Sequence, residues 1–135
     1  MLKFIIMLRV TCAIIEFNQK VLIAQRNQNM LLPYKWEFPG GKVERGEKDE
    51  VCIVREVKEE LNLNIVVQSR LTPVSHHYDT FSLELFPFIC STTSQEFELK
   101  EHAQVLWVDY QDLLNYDWAE ADIPIVKEYL ALKLE

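Results

Sequence analysis

Glu47-Lys48-Asp49-Glu50-Val51-Cys52-Ile53-Val54-Arg55-Glu56-Val57-Lys58-Glu59-Glu60-Leu61 is the stretch on which the reading of this chain turns. Ile53, Val54, Val57 and Leu61 recur at helical spacing, so a helix is expected over 47–61 with those four side chains against a core. Asn62 follows where a left-handed residue ends a helix, a conformation asparagine tolerates nearly as well as glycine. Glu56 and Glu60 are i,i+4 neighbours and Glu59 lies three residues after Glu56, which brings the three carboxylates towards one edge of the helix. Their mutual repulsion weakens the helix unless something compensates, and hard oxygen donors at this density suit magnesium or manganese. A plain solvated face, with Arg55 and Lys58 in surface pairs worth about 0–1 kcal/mol, fits the same spacing. Spacing alone leaves both readings open.

Working outward, Pro39-Gly40-Gly41 punctuates the chain before the helix, and its glycines are expected to supply backbone conformations closed to other residues. Residues 2–17 read as a first strand that turns at Asn18-Gln19 and pairs with Val21–Ala24. Further strands are expected over 63–75, 80–90 and 105–108, with His76–Asp79 as a turn or strand end. Adjacent strand residues point to opposite faces, so His76 and His77 do not build a joint metal site. Asp109 is placed to cap a short helix through Leu114, and Ile123-Pro124 opens a last helix to about Leu134. Strands thus surround one strong helix without regular strand–helix alternation, a mixed α/β arrangement of the α+β type.

Composition narrows the function. The 135 residues suit a single domain, 1–135, and 49% hydrophobic content is that of a folded protein. A net charge of -7 argues against wrapping a nucleic-acid polymer, which needs a basic footprint. It leaves room for a small phosphorylated substrate, because a divalent cation bridges two sets of negative groups. Cys12, Cys52 and Cys90 show no Cys-x-x-Cys spacing, which points away from a zinc knuckle or disulfide scaffold and towards a reducing cytoplasm. Arg9 interrupts the apolar N-terminal run and no small-residue cleavage site follows, so a buried strand is expected there in place of a signal peptide. No stretch reaches the roughly 18 apolar residues of a membrane span.

The ordered set Gly41, Glu47, Arg55-Glu56-Val57 and Glu59-Glu60 resembles the signature of the Nudix hydrolase family, and Trp36–Glu44 is similar to its MutT-like branch. The box spans 41–63 and departs from the family at Asn62, where glycine is usual. The resemblance implies a mixed curved β-sheet sandwiched between helices. It implies Glu56, Glu59, Glu60 and the Gly40 carbonyl as ligands of Mg2+ (Mn2+ as substitute), with Glu59, Glu60 and Glu101 catalytic and Glu98 as second choice to Glu101. Gly41, Glu47 and Arg55 become structural, with Arg55 pairing Glu47. Arg26 and Lys42 become phosphate contacts, against a reading as solvated cations.

Asp122 becomes the base contact, against a reading as helix cap, and Phe38 and Tyr78 line the base pocket, with core packing equally open for Phe38. The implied reaction is magnesium-dependent hydrolysis of a nucleoside triphosphate to monophosphate and pyrophosphate by water attack on the β phosphorus. Oxidised purine triphosphates such as 8-oxo-dGTP are the expected substrates, cytidine-type triphosphates the alternative, and a non-catalytic nucleotide-binding module the second alternative. The expected partner is a small nucleotide, acting on a monomer or homodimer in the cytoplasm, with no nucleic-acid polymer and no membrane.

Overall fold

The computed structural model describes residues 7–134, so residues 2–6 of the expected first strand lie outside the described residues. In chain order the elements are β1 (Met7–Phe17), β2 (Lys20–Gln25), β3 (Trp36–Glu37), β4 (Gly40–Lys42), α1 (Asp49–Leu61), β5 (Val66–Arg70), β6 (Val74–His77), β7 (Ser82–Ser91), β8 (Gln104–Asp109) and α2 (Ile123–Lys133).

The apolar runs of β1 and β2 decide the layering. Cys12–Ile15 and Val21–Ala24 are all buried, which requires a cover on both sheet faces. Because side chains alternate, Cys12, Ile14, Val21 and Ile23 pack with Trp36, Ile125, Val126 and Tyr129 beneath α2. Ala13, Ile15, Leu22 and Ala24 pack with Ile53, Val57, Leu61 and Phe88 beneath α1. The outcome is the expected mixed sheet between helices. β1 joins β2 through Asn18 and Gln19, whose φ of 49° and 65° suit a tight hairpin. β1 then runs parallel to β7, from Met7 opposite Ser82 to Glu16 opposite Ser91. β4 pairs antiparallel with β1, β3 and β8 with β2, and β5 and β6 with β7. No described helix is long and apolar enough to cross a membrane.

Four details differ from the sequence expectation. The helix begins at Asp49, because Glu47 closes a turn on Glu44 and spends its carboxylate on Glu44 N–H and Arg55. Val54 faces solvent at 38% exposure, and Cys52 takes its place in the buried face. The packed face is thereby turned towards β4, which draws Glu56 and Glu60 inwards with it. The 63–75 strand is broken between β5 and β6, where Pro73 has no N–H for a ladder and Thr72 instead donates to Glu128. The helix after Asp109 is a 3-10 turn over Tyr110–Asn115, and the Asp109 carboxylate does not cap it.

Asn62 ends α1 at φ 52°, ψ 38°, with its N–H on the Lys58 carbonyl. Replacement by glycine should leave stability within about 0.5 kcal/mol, whereas Asn62→Val should cost about 1–3 kcal/mol for forcing a β-branched residue left-handed. Urea midpoints at unchanged m-value test this.

Candidate active site

The site is assembled around β4. A Cβ on Gly40 would lie 1.9 Å from the Thr11 carbonyl oxygen, and one on Gly41 would lie 2.3 Å from the Glu56 carboxyl. These glycines are therefore needed for space. The expectation of unusual backbone conformations is corrected: of the three glycines, Gly46 alone has positive φ, at 79°. The missing side chain at Gly40 lets the backbone of β1 come close, and the one at Gly41 leaves room for the Glu56 carboxyl.

Arg55 organises one edge of the helix. Its Nε and Nη2 donate to the two Glu47 oxygens at 2.7 and 2.9 Å, a bidentate pair. Its Nη1 donates to Glu56 at 2.9 Å and to Glu59 at 3.1 Å. The guanidinium holds Glu47 down at a pKa of about 2, and these carboxylates in turn push Arg55 further up. Glu56 is nevertheless raised, because burial outweighs Arg55.

Glu60 lies outside this clamp. Burial, reinforced by the charges of Glu37, Glu56 and Glu101, pushes it up to about 9, with the nearby Gly40 N–H offsetting a part. Its Oε2 is buried and has no hydrogen-bond partner among the described residues. Among those residues no three His, Cys, Asp or Glu side chains converge as a ready ligand cluster: Glu56 and Glu59 meet on Arg55, and Glu60 turns into the cleft. An orphaned hard oxygen within a field of like charges fits a divalent cation.

Glu60 opens on a cleft of about 230 Å³ that is also lined by Gly40, Gly41, Lys42 and Arg26. Phe38, Tyr78 and Asp122 line the same cleft. Asp122 sits just before α2 yet makes no side-chain cap; its Oδ2 accepts the Phe38 N–H at 3.0 Å. Burial first, then Glu37, pushes Asp122 well above the ordinary carboxylate range. A carboxyl group accepts in either form and donates only when protonated, so the acceptor role expected from sequence stands. Phe38 serves both readings, since its ring packs 4.8 Å from Trp118 while it lines the cleft. Tyr78 accepts the Ala121 N–H at 3.0 Å and stacks on Phe81.

Other expected residues sit differently. Glu101 is exposed and does not line the cleft, although its charge acts on Glu60. Glu98 takes the Asn62 amide at 2.8 Å, at the far end of α1. Arg26 is not a free cation: Nη1 donates to Glu37 at 2.6 Å and Nε to the Leu31 carbonyl. His76 pairs with Glu120 and His77 with Ser82, so the two stay apart. Cys52 is packed against Thr11, and burial raises its thiol to about 11, which leaves it inert. Glu37 and His102 carry site contacts that the sequence reading assigned to neither. Glu37 stood in the Trp36–Glu44 stretch, but only pairing across the sheet reveals its company.

These side chains gather on one cleft between a glycine-bearing strand and an acidic helix. The NUDIX domain model matches residues 10–128. The chain is 32% identical over 127 residues to a CTP pyrophosphohydrolase of Escherichia coli strain K12, covering 94% of each protein. It is 31% identical over 88 residues to an 8-oxo-dGTP diphosphatase of Proteus vulgaris, covering 65% of this chain and 79% of that one. A solved MutT protein of the Nudix hydrolase family, from methicillin-resistant Staphylococcus aureus 252, superposes with a TM-score of 0.75 at 35% identity, over 93% of this chain and 96% of that one. The chain belongs to the Nudix hydrolase family, on its MutT-like branch.

Because Glu60 is raised in the fold, its ionisation penalises folding increasingly as pH climbs from about 4.5 towards about 9 and not below that window. Glu60→Gln should therefore stabilise the metal-free protein at pH 7 by up to about 3 kcal/mol, with the gain vanishing near pH 4. Urea unfolding in chelator at both pH values reads this directly. Added Mg2+ should raise the midpoint of the original protein and leave that of Glu60→Gln nearly unmoved.

Proposed function

We propose that this chain hydrolyses nucleoside triphosphates to monophosphate and pyrophosphate with Mg2+, by attack of water on the β phosphorus, and that oxidised purine triphosphates such as 8-oxo-dGTP are its substrates. The observation that carries the reading is Glu60, which lines the same cleft as Asp122 and has one buried carboxyl oxygen with no hydrogen-bond partner among the described residues. One end of the chemistry addresses a metal-bound phosphate chain and the other a base edge.

Glu56, Glu59, Glu60 and the Gly40 carbonyl would hold the cation, which when bound polarises phosphoryl oxygens and lowers the pKa of attacking water. Glu101, whose charge already reaches Glu60, accepts the water proton. Lys42, on the cleft beside Gly41, meets the phosphate chain. Arg55 keeps Glu56 and Glu59 at hand without touching substrate. Asp122 reads the base edge between Phe38 and Tyr78; an N7–H of an oxidised guanine is a donor it can accept. Burial of this contact makes an unmatched base costly.

A cytidine-type substrate is the second reading. It is supported by the likeness to the CTP pyrophosphohydrolase over nearly the whole chain. Asp122, which lines the cleft, can accept from an exocyclic amine as well as from a ring N–H, so its chemistry suits this reading too. The binding-module alternative has less behind it, since Glu56, Glu59 and Glu60 are all present.

The test is pyrophosphate release with Mg2+ from a panel containing 8-oxo-dGTP, CTP, dCTP and the normal purine triphosphates. 8-oxo-dGTP should give the highest kcat/KM, and a flat or empty panel would sink the assignment. Glu56→Gln and Glu60→Gln should each lower kcat by about 10²–10³. Asp122→Ala should change the 8-oxo-dGTP to CTP ratio of kcat/KM by about 10–100-fold.

A further inference from the structure

His102 is buried at 6% exposure, yet it belongs to neither the phosphate nor the base contacts. Its Nε2 lies 2.8 Å from Glu37 Oε2. The other Glu37 oxygen receives Arg26 Nη1 at 2.6 Å, and Arg26 Nε reaches the Leu31 carbonyl. A carboxylate accepts, so Nε2 carries the proton and donates. Nδ1 is buried without a partner among the described residues, and a bare nitrogen there leaves no donor unpaired.

The end of this relay is the loop between β2 and β3. Leu32 and Tyr34 stand there at φ 54° and 64°, a region costly for side chains of this kind. Such a shape persists when its surroundings impose it. Two backbone bonds, Arg26 N–H to the Lys35 carbonyl and Tyr34 N–H to the Arg26 carbonyl, both 2.9 Å, close the loop on Arg26. Met30, Leu31 and Leu32 thereby form an apolar part of the cleft wall. The segment bearing His102 is itself tied down, by Ala103 N–H on the Gln25 carbonyl at 2.8 Å.

We propose that His102 is a positioning residue: through Glu37 and Arg26 it holds the 26–35 loop so that Met30, Leu31 and Leu32 set the affinity for nucleotide. The affinity part rests on the nucleotide reading above; the holding of the loop does not. Without the imidazole donor, Glu37 is free to turn both oxygens to Arg26, and the guanidinium leaves the Leu31 carbonyl.

The experiment compares His102→Leu, which removes the donor at similar volume, with His102→Gln, whose amide N–H can take its place. Hydrogen exchange of the 26–35 amides is measured without nucleotide. Alongside it go KM and kcat for the best triphosphate of the panel, and calorimetric affinity for the matching monophosphate. In His102→Leu the Arg26 and Tyr34 amides should exchange about tenfold faster, and KM and the monophosphate Kd should rise about tenfold, the scale of one charge-assisted hydrogen bond. kcat should hold within about twofold, and His102→Gln should restore all three readings to near the original.

Unchanged exchange in His102→Leu overturns the relay while leaving the triphosphatase reading intact. Equal damage in both variants overturns it too, since imidazole packing would then be the cause. A fall in kcat at constant KM places the effect on Glu101 and overturns the proposal. Absence of any nucleotide binding and turnover in the original protein overturns the affinity part together with the functional reading, and the exchange data still judge the relay. Should His102→Leu not fold, Arg26→Lys, which keeps the charge but cannot span Glu37 and Leu31, must reproduce the fast exchange for the relay to stand.

Discussion

The rest of this structure depends on the absence of side chains at Gly40 and Gly41. At Gly40 the backbone of β4 passes so close to β1 that a methyl group would overlap the Thr11 carbonyl, and at Gly41 it would overlap Glu56. The room at Gly40 is taken by the backbone of β1, and the room at Gly41 by the Glu56 side chain of α1. With α1 rolled towards β4, Cys52 becomes a core residue, Val54 moves to solvent, and the carboxylates of Glu56 and Glu60 are carried into partly buried positions. The space at Gly41 thus bears on the burial of Glu56, which raises that carboxyl.

Those electrostatics are uneven, and the proposed function rests on that unevenness. Arg55 is shared among Glu47, Glu56 and Glu59, so much of the negative charge on the helix is answered from within the protein. Glu60 is answered by nothing comparable. It faces Glu37, Glu56 and Glu101, and one of its oxygens is buried without a partner among the described residues. A protein tolerates such an arrangement when it is completed by something it binds, and a cation shared with a phosphate chain is the completion that suits hard oxygens. The cost is carried on the stability side, since a carboxylate raised to about 9 is ionised at neutral pH only against resistance.

The far side of the cleft follows a different rule. Asp122 precedes α2 where a helix cap belongs, but its carboxylate is directed across to the Phe38 N–H and faces Glu37 from within the core. Glu37 is the hinge between the two halves: it acts on both Glu60 and Asp122 and is itself fixed between Arg26 and His102. Hydrogen bonds that share a buried carboxylate polarise one another, so His102 and Arg26 are coupled through Glu37.

Sequence by itself determined the acidic helix, its asparagine cap, the hairpin at Asn18-Gln19, the mixed character of the sheet and the family. These depend on periodicity and on fixed spacing within short segments, and neighbours on one helix or hairpin stay neighbours in any fold. It also grouped Arg55 with Glu47, eight residues apart on a turn and a helix. Tertiary structure decided what lay between segments: that the glycines serve space rather than backbone angle, that Arg26 holds a loop, and that Asp122 bonds Phe38 across 84 residues instead of capping α2. It alone revealed Glu37 and His102 as partners 65 residues apart. Burial and cross-strand pairing set the protonation and company of a side chain, and both are properties of the packed sheet that no local spacing encodes.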